Sequence, residues 1–62
     1  MQHETNTSTI IARLEHEGWE NVGGTKHTKF RKLGVGTIMV PRHRFVTPGV
    51  AQSIAKAAGW TR

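Results

Sequence analysis

The sequence predicts an α+β domain in which two helices flank a three-stranded antiparallel sheet, in the order α-β-β-β-α. Two segments, one near each end of the chain, carry apolar residues at helical spacing. Between them lie three short strand-like segments joined by glycine-containing links, which is typical of an antiparallel meander. Helices at both ends of such a sheet usually pack on one face and leave the other exposed.

The first helix is predicted to begin near Thr7, a suitable N-cap, and to end at Gly18, where a left-handed residue is expected. Its apolar stripe consists of Ile10, Ile11 and Leu14, which recur at helical spacing.

Three strands are predicted at residues 19–22, 27–33 and 37–40. Glycine-rich links join them, and Pro41 ends the third strand because proline cannot donate to a central ladder. Within the third strand, Ile38 and Val40 share one face and Thr37 and Met39 the other.

The second helix is predicted to begin with Thr47 as N-cap and Pro48 at the first helical position, and to end at Gly59. Its apolar side is expected to comprise Val50, Ile54, Ala57 and Ala58.

The chain has 62 residues, enough for one domain with a small core. Residues 1–6 are predicted to form a flexible polar tail and residues 7–62 a single domain. The sequence contains no cysteine, which fits a cytoplasmic protein. It has no apolar run that could span a membrane, and its polar start lacks the apolar region of a secretory signal.

Charge is distributed unevenly along the chain. Nine Lys and Arg residues stand against four acidic residues, for a formal net charge of +5. All the acidic residues are glutamates within the first twenty positions, whereas every Lys and Arg except Arg13 lies at or after Lys26. This asymmetry predicts a strongly positive surface suited to RNA, DNA or an acidic protein. The alternative is a solvated basic surface with no specific ligand.

The second predicted strand carries the most informative histidine, His27. If Phe30 points into the core, strand alternation puts His27, Lys29 and Arg31 together on the opposite face. A positioned imidazole can take the proton from a ribose 2′-hydroxyl, while cations stabilise the charge that develops on the phosphate. This route needs neither a metal nor a cofactor. The alternative is an ordinary exposed histidine near a turn.

Further basic residues flank this strand and follow the third one. Lys26 and Lys32 are expected to point the other way or along the sheet edge, where lysines also protect exposed strands. Arg42, His43 and Arg44 form a basic loop that either contacts RNA, with His43 as a second acid or base, or is only a charged loop. The histidines show no metal-ligand spacing, which argues against a metal site.

Two other features argue against further nucleic-acid contacts. Trp19, Phe30 and Trp60 are expected to pack in the core and at helix ends rather than to form a base-stacking platform. The second helix carries a single basic residue, Lys56, which argues against direct DNA contact except through a partner complex.

Several short motifs together resemble the HicA family, the small toxins of HicAB toxin–antitoxin systems. The resemblance runs from about Thr7 to Trp60. It rests on the segments Glu17-Gly18-Trp19, Gly24-Thr25-Lys26-His27-Thr28-Lys29-Phe30, Val40-Pro41-Arg42-His43, and Pro48-Gly49 leading to Ile54-Ala55-Lys56-Ala57-Ala58-Gly59.

The resemblance implies a double-stranded-RNA-binding-domain-like fold and a ribosome-independent mRNA interferase activity. The family's catalytic histidine follows a Gly-Ser-x-His or Gly-Ser-His motif, which maps onto His27. Thr25 stands in place of the usual serine and keeps its hydroxyl, and Lys26 directly precedes the histidine. The resemblance also implies a HicB-like antitoxin that masks the active site.

The predicted function is therefore that of a toxin acting as a metal-independent endoribonuclease on single-stranded RNA or mRNA, with His27 as its catalytic residue. The expected RNA-binding residues are Thr25, Lys26, Lys29, Arg31, Arg42, His43 and Arg44. Water, Lys29 or His43 would protonate the leaving group. The alternative function is a non-catalytic RNA-binding module that uses the same basic face.

Overall fold

The computed structural model describes residues 4–60 and confirms the predicted order of elements. In chain order these are α1 (Thr7–His16), β1 (Glu20–Gly23), β2 (His27–Lys32), β3 (Gly36–Pro41) and α2 (Pro48–Ala58). The strand boundaries differ from the predicted ones by one residue at several ends. Neither described helix is long and apolar enough to cross a bilayer.

The three strands form one antiparallel sheet in the order β1-β2-β3, so that β2 is central. The pairing of β2 with β3 is regular, from His27 opposite Pro41 to Lys32 opposite Gly36. The pairing of β1 with β2 shifts between Asn21 and Gly23. At this bulge the Gly23 amide donates to Oδ1 of Asn21 at 2.9 Å. The predicted antiparallel meander is confirmed.

Both helices pack on the same face of the sheet, and the core lies between the two layers. Leu14 of α1, Phe30 of β2 and Val40 of β3 are 0% exposed. Around them lie the other buried members of the cluster, Ile10, Trp19, Ile38, Val46, Ala51 and Ile54. Burial of one such large apolar side chain stabilises the fold by about 2–3 kcal/mol. The prediction that Trp19 and Phe30 are core residues is confirmed.

The start of α1 corrects one prediction. Asn6, not Thr7, is the N-cap, and its Oδ1 accepts a hydrogen bond from the Thr9 amide at 3.3 Å. Asn6 has the extended backbone that a cap requires because it forms a bridge with Phe45. Thr7 is instead the first helical residue and is buried. A distant chain segment therefore decides which of two suitable residues caps the helix.

The start of α2 agrees with the sequence. Thr47 is the N-cap, with its Oγ1 accepting from the Val50 amide at 3.3 Å, and Pro48 is the first helical residue.

The predicted tail over residues 1–6 stays a prediction, since residues 1–3 lie outside the described part of the chain. Thr5 and Asn6, the last residues of this predicted tail, form backbone contacts with the segment before α2. The Thr5 carbonyl accepts from the Val46 amide at 2.9 Å, and Asn6 bridges Phe45.

Both helices end at a glycine that is followed by a tryptophan. Gly18 (φ 94°) and Gly59 (φ 80°) adopt the left-handed conformation that the sequence predicts. The amide of the following tryptophan then donates to a carbonyl in its own helix, at 2.9 Å for Trp19 and 2.7 Å for Trp60. These bonds turn each tryptophan back towards the helix that it follows.

A small cluster joins the segment after α2 to α1. Trp60 Nε1 donates to Glu17 Oε1 at 2.6 Å, and Arg13 Nε donates to Glu17 Oε2 at 3.3 Å. The Arg13 guanidinium also lies 4.2 Å from the centroid of the Trp60 ring. The hydrogen bond from Trp60 is the main cause that lowers the pKa of Glu17; desolvation opposes it, and Arg13 adds to it.

The buried side of α2 is rotated from the predicted one. Ile54 is buried, and Val50 and Ala58 pack half-buried against the core, as predicted; Ala57 is exposed, however, and Ala51 and Ala55 are buried instead. Alanines occur on several sides of this helix, so their spacing alone could not select the buried set.

We expect Trp60→Phe to destabilise the domain by about 1 kcal/mol at pH 7, because an aromatic ring is kept at this position while the hydrogen bond to Glu17 is lost. A carboxylate whose pKa is lowered by folding stabilises the fold above its unfolded pKa, and this contribution is lost as the pH falls through the folded pKa. The difference between wild type and variant should therefore shrink from pH 7 to pH 3. Urea unfolding at both values measures it, and an equal difference at both would contradict this assignment.

Candidate functional site

The face of the sheet opposite the helices carries the candidate site. On β2, Phe30 points into the core, whereas His27, Lys29 and Arg31 are exposed on the other side. Strand alternation therefore brings the three basic residues to one face, as the sequence predicts. We call this side of the sheet the open face; on β3 it carries Thr37 and Met39, the two residues predicted to face away from Ile38 and Val40.

The strand register arranges the open face in three rows. These are the histidine row (His27–Pro41), the lysine row (Lys29–Met39) and the arginine row (Arg31–Thr37). Successive rows are about 7 Å apart along the strands, so Lys29 adjoins His27, whereas Arg31 is about 13 Å from it.

The arginine row also contains an acid that the sequence did not place there. Glu20 of β1 lies opposite Arg31. Opposite charges that face each other across neighbouring strands attract and partly offset each other. Of the two cations on the open face of β2, Lys29 is nearer to His27, and it has no acidic residue opposite it on either neighbouring strand. The sequence does not predict that Glu20 faces Arg31, because a bulge in β1 changes the pairing register between β1 and β2.

The turn before β2 brings the backbone very close to His27. Gly24 has φ 140°, and a Cβ at this position would clash with the His27 carbonyl oxygen. Only glycine fits such an approach without moving the backbone. The turn presents Thr25 and Lys26, both exposed, at the His27 end of the sheet.

Arg42 makes a contact that the sequence did not predict. Its Nη2 donates to the Gly24 carbonyl at 2.7 Å. Because Pro41 lies opposite His27, the guanidinium reaches from the end of β3 to the turn that precedes His27. This charge-assisted bond ties the turn to β3. No sequence signal links the two positions, which are eighteen residues apart.

The remaining predicted residues divide between the two ends and faces of the sheet. His43 and Arg44 are exposed and follow β3 at the His27 end. The Arg44 carbonyl accepts from the Thr7 amide at 3.0 Å, which connects this segment to the start of α1. Lys32 lies on the helix side, where its Cε approaches Gly18, as the alternation predicts.

The site thus offers the exposed imidazole of His27 next to the exposed Lys29, with His43 and further cations at the same end of the sheet. Such a set of groups can remove a proton and stabilise negative charge on a phosphate. Within residues 4–60, no group of three or more His, Cys, Asp or Glu side chains is arranged to hold a metal ion.

Comparison with known families identifies a match over nearly the whole chain. A family model described as the HicA toxin of bacterial toxin–antitoxin systems matches residues 7–60. No curated protein and no solved structure matches the chain.

We expect Arg42→Gln to shift the backbone amide resonances of residues 24–27 and to lower the free energy of unfolding by about 1 kcal/mol, because the bond to Gly24 is lost. Nuclear magnetic resonance and urea unfolding measure the two effects. Arg44→Gln removes the same charge from the same segment and should leave those resonances in place. Equal changes in both variants would show that the loss of charge, not the hydrogen bond, is responsible.

Proposed function

Because the chain belongs to the HicA toxin family of bacterial toxin–antitoxin systems, we propose that it is a metal-independent endoribonuclease that cleaves mRNA. The family membership gives the toxin role and an antitoxin partner in general. The activity, the catalytic His27 and a HicB-like antitoxin are the proposal. The observation that carries it is the exposed His27 beside Lys29 on the open face, in the segment that resembles the family's catalytic motif.

In the proposed reaction, the His27 imidazole takes the proton from a ribose 2′-hydroxyl. The 2′-oxygen then attacks the adjacent phosphorus, and the bond from phosphorus to the 5′-oxygen breaks. The leaving 5′-oxygen receives a proton from water, Lys29 or His43. The products are a 2′,3′-cyclic phosphate and a 5′-hydroxyl, so no water is consumed in this step.

Lys29 is proposed to stabilise the negative charge that develops on the phosphate, because it is the next residue along the open face from His27. Thr25, Lys26, Arg31, Arg42, His43 and Arg44 are proposed to help bind the RNA. Arg42 is supported mainly as the residue that ties the turn before His27 to β3. Arg31 is less favourably placed, since it is distant from His27 and faces Glu20.

The proposed antitoxin would cover the open face and thereby keep RNA away from His27. An acidic surface would complement this face, because Lys29 and Arg31 lie on it and the exposed Lys26, Arg42 and Arg44 lie at its His27 end. A non-catalytic RNA-binding module that uses the same face is the second candidate. It is favoured by the solvent exposure of the basic residues on this face, which suits binding whether or not His27 reaches a ribose.

We expect the purified protein to cleave single-stranded RNA in excess EDTA and to leave 2′,3′-cyclic phosphate ends, and we expect His27→Ala to lose this cleavage. Removal of a general base typically costs about 10²–10⁴-fold in rate. His16→Ala, which removes an exposed histidine from α1, is the matched control and should cleave like the wild type.

Circular dichroism should show that His27→Ala remains folded, because His27 is exposed. Binding without cleavage by the wild type would favour the non-catalytic module. Cleavage by the wild type that EDTA abolishes would contradict metal independence.

We expect Lys29→Ala to weaken RNA binding and to reduce the slope of log affinity against log salt by about 0.7, the value for one phosphate of a single strand. Fluorescence anisotropy at several salt concentrations, with the uncleaved His27→Ala background, gives the slope. Lys56→Ala removes a charge from α2 and should leave the slope unchanged. An unchanged slope in Lys29→Ala would remove Lys29 from the phosphate contacts.

A further inference from the structure

A groove runs along the outer edge of β3, between this edge strand and α2. It has a volume of about 320 Å³, and its lining residues are Thr37, Ile38 and Met39 of β3 and Gly49, Val50, Ser53, Ile54 and Ala57 of α2. Its walls are mainly apolar, and Thr37 and Ser53 each bring a hydroxyl group. Apolar walls with a few polar groups are typical of sites for small organic ligands of this size.

The groove is continuous with the open face. Thr37 and Met39 line the groove and also belong to the open face. Met39 lies opposite Lys29, and Thr37 lies opposite Arg31. Each of these rows therefore has a cation on the central strand and a groove residue on the edge strand, with their Cβ atoms about 5 Å apart.

A nucleotide has the same arrangement of charge and apolar surface. Its phosphate is anionic, and its base, one ribose away, has an apolar face and a polar rim. If the phosphate lies at Lys29, a nucleotide that points towards the edge of the sheet brings its base to Met39 and the groove. The lysine row adjoins the histidine row, so this base would belong to a nucleotide next to the bond that is cut.

We propose that the groove between β3 and α2 binds one unpaired nucleobase of the RNA, which enters over the edge of β3 beside Thr37 and Met39 and lies near the hydroxyl group of Ser53. This inference rests on the proposed function for the identity of the ligand. A base held in this way must be unstacked, so the groove selects single-stranded RNA over a duplex and contributes to sequence preference.

The test uses two leucine variants of exposed residues on α2. Ser53→Leu fills the groove, whereas Gln52→Leu places the same side chain on the same helix outside the groove lining. Leucine is a good helix former, so both variants should keep the fold, which circular dichroism checks. The probes are short 2′-O-methyl oligoribonucleotides, which lack the nucleophile and are not cut, each without the base at one position.

For the wild type and Gln52→Leu, we expect the loss of one particular base to weaken binding about tenfold, the typical effect of losing one contacting base. For Ser53→Leu, the intact oligonucleotide should bind about as weakly as the one that lacks this base, and removing the base should cost little more. With cleavable RNA, the same variant should discriminate less among the four bases at that position.

The proposed base-binding site is contradicted if the loss of no single base weakens binding of the wild type. It is equally contradicted if the missing base reduces the affinity of Ser53→Leu by the same factor as that of the wild type. It is also overturned if Ser53→Leu leaves RNA binding unchanged and instead abolishes self-association in sedimentation, since the groove would then be a protein interface. Because the probes are not cut, binding is read separately from cleavage. A wild type that shows the base effect but cuts no RNA would refute the proposed nuclease and retain the subsite.

Discussion

The burial of Phe30 is the constraint on which the rest of this domain depends. Phe30 lies at the centre of the central strand and is 0% exposed. Successive side chains of a strand point to opposite faces, so one buried aromatic ring decides the direction of every neighbour on β2. His27, Lys29 and Arg31 are exposed because Phe30 is not. A one-residue slip of this strand would bury three basic side chains and expose the ring, at a cost that a small domain does not sustain.

The ends of the helices show how a short chain closes its core without a disulfide. At each end, a glycine in the left-handed conformation lets the next tryptophan turn back to its helix. Trp19 thereby becomes part of the core, and Trp60 reaches Glu17, the C-cap residue of α1. The second contact joins the segment after α2 to the end of α1 through the hydrogen bond to Glu17 and a cation–π contact with Arg13, and an ion pair links Arg13 to Glu17. These contacts lie on the helix side of the sheet and leave the open face accessible.

The geometry around His27 depends on contacts from elsewhere in the chain. Gly24 permits the close turn, Arg42 links that turn to β3, and Pro41 lies directly across from the histidine. Arg42 is a cation near the candidate site, but its guanidinium already binds a backbone carbonyl. The basic residues around His27 therefore have different roles: Lys29 faces solvent, whereas Arg42 stabilises the backbone of the turn that precedes His27.

The sequence by itself determined the order of the elements, the antiparallel meander and the face on which His27, Lys29 and Arg31 lie. It could do so because glycine turns, helix caps and alternation act between residues close in the chain. The motifs also identified the family that the comparison confirms. Only the tertiary structure decided that Asn6 caps α1, that Ala51 and Ala55 rather than Ala57 are buried, that Glu20 faces Arg31 and that Arg42 binds Gly24. Each of these depends on which distant segments meet: a bridge to Phe45, the rotation of a helix on a sheet, a bulge that shifts the register, and a side chain that spans eighteen residues. Local sequence patterns carry no information about these long-range contacts, because the contacts contribute to stability only after the helices and the sheet have packed together.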